Sequence, residues 1–289
     1  GGPLDSTISL AECARSAGHN VSVVVAAGDA YLARPRLHAA LVRLTRLSER
    51  VGRLAWRVHD RLSGRLVPAT IDGVPVTRAA DVPAAIVRNR LSRDVLVVNS
   101  MRRLDLERVL AVTAKSGATV IWYVRESTSL RFVAEMGPRF DVVVANSRPL
   151  AAEVGRLTRR PCPFVPSVIS REGLVEPDSR RSILLVNAVP SHGLNTAFEL
   201  AALMPGAHFV LQESWPLPAE DRHLILAQLA ELANVEFRPR GPRTAIFRDA
   251  RLMIAPHSEE SVGFSRPRVV LEAQALGIPV IAFDIPGLA

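Results

Sequence analysis

Residues 256–288 read PHSEESVGFSRPRVVLEAQALGIPVIAFDIPGL. The run opens where a short apolar stretch, Leu252–Ala255, ends. A polar loop containing Gly263 follows. A helix is then predicted from near Ser265 to Leu276, because Pro267 suits a first helical turn and Gly277 a helix end. Pro279–Phe283 is again a short apolar run bounded by turn residues. Strand, loop, helix and strand in this order make a βαβ unit. Continuous apolar strands of this kind belong to parallel sheets covered on both faces.

The same alternation extends back through the chain. Val21–Ala26, Asp94–Asn99, Thr119–Val124, Asp141–Ala145, Ile183–Val189, His208–Gln212 and Val235–Phe237 read as buried strands. Ser6–Ala17, Leu104–Ala114 and Leu194–Met204 carry helical patterns. The expected fold class is therefore α/β, with two Rossmann-like doubly wound domains facing a cleft. The stretch 161–182 is rich in Pro, Ser and charge, which places the domains at 1–172 and 173–289, the second incomplete. Gly1-Gly2 leads directly into a helix, and the chain stops just after a strand, so both ends read as cut.

Apolar residues make up 48% of the 289 residues and charged residues 22%, enough for a substantial core. No apolar run approaches the roughly 20 residues that span a bilayer. No secretory leader is visible, and the cytoplasm is the expected compartment. Cys13 and Cys162 are isolated, which disfavours a disulfide scaffold or a cysteine zinc site. GxxxxGK[ST], GxGxxG, HExxH and GxSxG are all absent, so ATPase, dehydrogenase, zinc protease and esterase readings lose support. No Asp-x-Asp pair is present, and no metal or cofactor is expected.

The net charge is +8, and Lys115 is the only lysine. Between Tyr31 and Leu66 nine arginines face only Glu49 and Asp60, a local +7, so the rest of the chain is nearly neutral. Leu37, Leu44, Val51 and Val58 recur every seven residues there, flanked by Arg36, Arg43, Arg50 and Arg57. Such a helix has two readings: an ordinary solvated face, or an interfacial helix drawn to anionic lipid, which the charge favours. With only Tyr31 and Trp56 interleaved, it is a weak nucleic-acid surface.

The helix start near Ser265 offers chemistry. Backbone amides at Arg266, Arg268 and Val269, with the helix dipole, suit a diphosphate. Glu272, two turns in, is placed either to accept from sugar hydroxyls or to pair with Arg268 at i−4. His257 follows a strand end; it reads first as structural and second as functional.

The run LEAQALGIPVIAFDIPGL (Leu271–Leu288) resembles the C-terminal signature of the family 4 glycosyltransferases, retaining enzymes of the GT-B fold. The likeness continues in ILLVNAVPSHGLNTAFELAALMP (Ile183–Pro205), HFVLQESWP (His208–Pro216) and NVEFRP (Asn234–Pro239), and in the first half in VVNS, VIWYVRES and VVANSRPL. It implies a nucleotide diphosphate-sugar donor as substrate, a glycan or lipid-linked acceptor, and transfer with retention. It implies that Glu272 binds the donor ribose and that Gly2 lies in the glycine loop after a first strand. His192-Gly193 stands where the family has Lys-Gly at the diphosphate, and Arg238 and Arg240 flank the base edge. Trp215 is expected beneath the cleft floor.

Three positions depart from the pattern. Counting back eight from Glu272, the family's sugar-binding Glu is Phe264; Glu259 and Glu260 are the nearest carboxylates, and Glu260 is the expected catalytic replacement, brought back by a turn at Gly263. His192 replaces the lysine. Arg125, in Tyr123-Val124-Arg125-Glu126, stands where the family often has His-x-His-Glu; it reads as a catalytic phosphate contact or as a surface cation. The expected function is a metal-independent hexosyltransferase of polysaccharide biosynthesis, cytoplasmic and at the inner face of the membrane. The alternative is a nucleotide-sugar-binding pseudoenzyme; a nucleic-acid binder is the third class.

Overall fold

The structure is a computed structural model that describes residues 2–26, 66–71, 74–79, 82–89, 95–99, 103–114, 116–169, 174–215, 217, 219–241 and 245–288. The arginine-rich segment from Tyr31, apart from Leu66, lies outside these residues, as does the expected domain boundary at 172 and 173. No helix among the described residues is long and apolar enough to cross a membrane.

The C-terminal unit is built on one five-stranded parallel sheet. Its strands are β7 (Ser182–Val186), β8 (His208–Gln212), β9 (Val235–Arg238), β10 (Ala250–Ala255) and β11 (Val280–Ala282), in the order β11-β10-β7-β8-β9. Every pairing in it is parallel. Helices α6 (Leu194–Leu203), α7 (Ala219–Leu229) and α9 (Arg268–Ala275) make the crossovers, with the short α8 (Glu259–Val262) after β10.

Strand periodicity sorts the apolar residues between the two faces of the sheet. Leu185, Phe209 and Leu211 pack with Leu194, Ala197, Phe198 and Ile225 on one side. Leu184, Val186, Val210 and Met253 pack with Phe247, Val270 and Ala273 on the other. Both faces of the central strands β7, β8 and β10 are covered, which is why they read as apolar runs, whereas the edge strand β11 leaves Ile281 61% exposed.

Among the described residues the N-terminal unit contains two three-stranded sheets. In one, β4 (Val95–Asn99), β5 (Thr119–Val124) and β6 (Val142–Ala145) are parallel, with β5 central. In the other, β1 (Val24–Ala26) pairs in parallel with β3 (Val74–Ala79), which is antiparallel to β2 (Leu66–Ile71). The α-helices among the described residues are α1 (Gly2–Ser16), α2 (Val82–Asn89), α3 (Arg103–Thr113), α4 (Leu130–Met136) and α5 (Arg148–Thr158).

The β2–β3 hairpin is the element that the strand survey missed. Its residues alternate with Thr, Pro and Arg instead of forming an apolar run. Helix α1 also starts at Gly2, not at Ser6. Gly2 is thus in the first helical turn and not in a loop.

Trp122 on β5 centres the N-terminal core. It is 1% exposed, stacked on Phe132 at 5.7 Å and tilted on Phe140 at 5.2 Å. Trp122→Ala deletes both ring contacts and leaves a cavity that the β5 neighbours fill only in part. The expected cost is about 3–5 kcal/mol, read as a lower urea midpoint by circular dichroism; a midpoint unchanged from the parent contradicts this.

Candidate functional site

A cleft of about 500 Å³ lies between the two units. Its walls are the loops after β5, β6, β7, β8, β9 and β10, so it sits at the C-terminal ends of the parallel strands, where open α/β sheets take ligands.

Two polar side chains shape the β8–β9 end. Asn187 follows β7 with φ +56°, a conformation Asn tolerates better than most residues. Its Oδ1 accepts from the Ser214 amide at 2.9 Å and the Trp215 amide at 3.1 Å, and its Nδ2 donates to Ser214 Oγ at 2.8 Å. Trp215 is thereby held at the cleft, 39% exposed and edge-on to His192 with ring centroids 5.3 Å apart. It does not lie beneath the floor as expected. Glu213, buried, accepts from the Leu217 amide at 3.1 Å, the Arg240 amide at 3.0 Å and Arg222 Nη2 at 2.6 Å. It fixes the turn that brings Arg240 to the cleft wall.

The central part depends on Gly193. It has φ +88°, and a Cβ there would stand 2.2 Å from Pro256 Cγ. This close approach presses the loop after β7 onto the end of β10. The Ser258 amide donates to Ser191 O at 3.0 Å across the same junction. His192 and His257 consequently meet with ring centroids 4.3 Å apart. Burial pushes both imidazoles down in pKa. His257 is held at about 3, with the neighbouring His192 adding to the effect. For His192 the backbone carbonyls of Val186 and Asn187 oppose burial but do not cancel it.

The α9 end differs from expectation in register. Pro267 is the cap residue and Arg268 the first helical residue, so the Arg266 amide precedes the helix. The amides of Arg268 and Val269 are first-turn donors with no partner inside the helix. Arg268 and Glu272 are both buried, and Arg268 Nε donates to Glu272 Oε1 at 2.7 Å. Arg268 Nη1 also donates to Ser6 Oγ at 2.9 Å and Val168 O at 3.1 Å, and Nη2 to Ser9 Oγ at 3.5 Å. Glu272, Arg266, Arg268 and Val269 all line the cleft.

From the N-terminal unit, Arg125 reaches the cleft and donates from Nη2 to Ser6 Oγ at 2.7 Å. It is 8% exposed, so it is no surface cation. Its guanidinium stands 5.6 Å from the Tyr123 ring centroid.

Besides Gly2, four expected site residues are not on the cleft wall. Arg238 donates to Glu236 at 2.6 and 2.9 Å and to Asp249 at 2.8 and 2.9 Å, which occupies its guanidinium and holds its pKa well above the ordinary value. It is a strand-end ion pair and not a base contact. Phe264 packs against the N-terminal core. Its amide donates to Ser127 Oγ at 2.9 Å and its carbonyl accepts from Ser147 Oγ, so it is an interdomain contact and not a donor ligand.

Glu260 is exposed in α8 and does not line the cleft; neither does Glu259. Gly263 does take a positive φ of +51°, but it packs against Ser127 and does not return Glu260 to the cleft. Gly193 acts through its shape and is not a wall residue.

The sequence reading missed Ser6, Ser9, Ser127, Asn187 and Glu213. Ser6 and Ser9, three apart on a predicted helix, share a face, which was the available signal. Among the described residues no three His, Cys, Asp or Glu side chains converge as a metal site requires.

No family model and no curated protein matches the chain. Solved structures do match. TarM superposes with a TM-score of 0.53 at 13% identity, over 70% of this chain and 44% of that one. A mutant of S. aureus TarM, in complex with fondaparinux, alpha-GlcNAc-glycerol and UDP, gives 0.53 at 14% identity, over 70% of this chain and 45% of that one. A glycosyltransferase from Rickettsia africae ESF-5 gives 0.50 at 13% identity, over 71% and 61%. The chain thus spans about half the length of the TarM structures. What it shares with these proteins is the fold: paired Rossmann-like α/β units of the GT-B type.

Proposed function

We propose that the chain is a glycosyltransferase that moves a sugar from a nucleotide diphosphate-sugar to a glycan or lipid-linked acceptor, with retention and without a metal. The carrying observation is the cleft itself. It lies at the strand ends between two Rossmann-like units, and the start of α9 with Arg266 faces into it. First-turn amides and a helix dipole suit an anionic diphosphate, and in a confined cleft they stabilise it as it departs. Glu272 would hold the ribose, with Arg268 serving as the cation that fixes the carboxylate. Arg125 would face the reacting group from the opposite wall.

The binding half of this reading is tested by thermal shift with UDP-, GDP- and ADP-sugars. The right donor at one hundred times its Kd stabilises the fold by about 2.7 kcal/mol. Glu272→Gln is the informative variant, because its amide oxygen still accepts from Arg268 Nε while the charge is lost. Donor affinity is expected to fall about tenfold, since hydrogen bonds to a charged group contribute on the order of 1.5–3 kcal/mol, and the melting temperature is expected to fall as well, because buried Arg268 loses its counter-charge; affinity is therefore measured below that transition. Unchanged affinity removes Glu272 from the ribose.

A second reading, a nucleotide-sugar-binding pseudoenzyme, is favoured by one observation: neither Glu259 nor Glu260 lines the cleft, and Phe264 is packed into the N-terminal unit. Product analysis with the donor that binds separates the two. Transfer or donor hydrolysis supports the enzyme; tight binding with neither supports the pseudoenzyme.

The +7 between Tyr31 and Leu66 supports peripheral contact with anionic membrane at the cytoplasmic face. Changing Arg43, Arg50 and Arg57 to Glu is expected to release the protein from anionic vesicles in flotation, each arginine contributing about 1 kcal/mol. A parent that never floats ends this proposal.

A further inference from the structure

Residues 262–265, which lead from the end of α8 toward α9, bond mainly to the N-terminal unit. Ser127 Oγ donates to Val262 O at 2.9 Å and accepts from the Phe264 amide at 2.9 Å. It also stands 3.0 Å from Ser265 Oγ. With its own proton on Val262 O, it accepts from Ser265. A hydroxyl has one donor and two lone pairs, so the whole capacity of this one goes to the opposite unit. Ser147 Oγ donates to Phe264 O while accepting from the Leu150 amide at the start of α5.

Two glycines permit this approach. A Cβ at Gly263 would stand 2.9 Å from Ser127 Oγ and 3.1 Å from Ser127 Cβ, so a side chain there would push the two units apart. The Gly287 amide, from the loop after β11, donates to Gly263 O at 2.8 Å. A Cβ at Gly287 would stand 2.0 Å from Ser265 O. The loop is thus braced by its own unit while it grips the other.

Phe264 decides the energetics. It packs on the cluster that contains Trp122, Phe132 and Phe140. If the units separate, water replaces the hydrogen bonds of Ser127, Ser147 and Arg268 at small net cost. Water has no substitute for the apolar contact of the ring. The hydroxyls therefore set the register and the ring supplies the hold. Every partner in this contact belongs to the chain itself. Phe264 does not line the cleft, so the loop joins the units without taking up ligand space.

We propose that residues 262–265 are a latch, with Phe264 and Ser127 as positioning residues that hold the two units closed through contacts within the chain. The start of α9 then faces the N-terminal wall before a ligand arrives, and ligand affinity is not reduced by the need to close the cleft. The consequence for donor affinity rests on the nucleotide-sugar reading above; the closure itself does not.

The test is small-angle X-ray scattering of the parent, Phe264→Glu, Phe264→Ala and Ser127→Ala, alone and with UDP, GDP or ADP, beside calorimetric titration of the same diphosphates. The parent's radius of gyration is expected to be the same with and without the diphosphate that binds. In Phe264→Glu a carboxylate meets the apolar cluster without a cation, so the units are expected to separate. Its radius of gyration is expected to rise, and to return toward the parent value on saturation with the diphosphate. Its affinity for the diphosphate is expected to fall about tenfold, as it does when only about a tenth of the molecules are closed. Phe264→Ala and Ser127→Ala are expected to shift the same way by less, with circular dichroism showing that each variant is folded. If Phe264→Glu does not fold, Phe264→Ala carries the test.

A parent that contracts when the diphosphate binds overturns the latch, because the ligand is then what closes the cleft. Folded Phe264 variants that keep the parent's radius of gyration overturn it as well. Both results leave the nucleotide-sugar reading standing. A parent that binds none of the three diphosphates removes that reading instead, and the scattering of the variants alone then decides the latch.

Discussion

The guanidinium of Arg268 is a buried charge, and a buried charge must be matched on the spot. Its three nitrogens are distributed over Glu272 in its own helix, Ser6 and Ser9 on α1, and the carbonyl of Val168. One side chain therefore ties the start of α9 to α1 and to the chain at Val168. Leaving such a charge without its carboxylate typically costs about 3–5 kcal/mol. The position of Glu272 and the placement of the first-turn amides both follow from this contact. Arg125 converges on the same Ser6 hydroxyl from the opposite wall, so α1 organises cations from both sides of the cleft.

A second fastening explains the departure at position 264. Ser127 Oγ donates to Val262 O at 2.9 Å and accepts from the Phe264 amide, while Ser147 Oγ donates to Phe264 O. The backbone on either side of this residue is thus held by the N-terminal unit. Its side chain is directed onto the core around Trp122. An aromatic ring suits that surface, whereas a carboxylate there would be desolvated without a cation. Phe264 is a docking residue, and the sequence pattern around Glu272 survives on a loop with a different task.

The sheets were legible because their central strands, such as β5, β7 and β10, are buried and mostly apolar, and because the exposed edge strands β4 and β11 keep apolar sequences. Nine predicted strands correspond to observed ones, most within a residue or two of their ends. The β2–β3 hairpin was not legible by that criterion, although Asp72-Gly73 between two alternating runs is the local signal for one. The strand, loop and helix around the start of α9 were legible in the local pattern, although the helix begins at Arg268 and not near Ser265. The site was not legible where function passes through contacts distant in sequence. Arg238 reads as a cleft cation until Asp249, eleven residues on, is seen to occupy it. Ser6 and Arg268 meet across 262 residues, and no pattern in either segment announces the other.

The cleft is fixed by different means along its length. At the β8–β9 end, a buried carboxylate and an amide side chain, Glu213 and Asn187, hold backbone amides directly. At the α9 end the Arg268–Glu272 ion pair ties the helix to Ser6 and Ser9 and to the carbonyl of Val168. Between them, His192 and His257 are placed chiefly by the packing of Gly193 on Pro256, with one backbone hydrogen bond from Ser258 to Ser191. Packing alone leaves Nδ1 of each ring without a hydrogen-bond partner among the described residues. Any side chain at position 193 would separate β7 from β10 and open the pair. The requirement for glycine there and the unspent polarity of the two imidazoles are consequences of the same close approach.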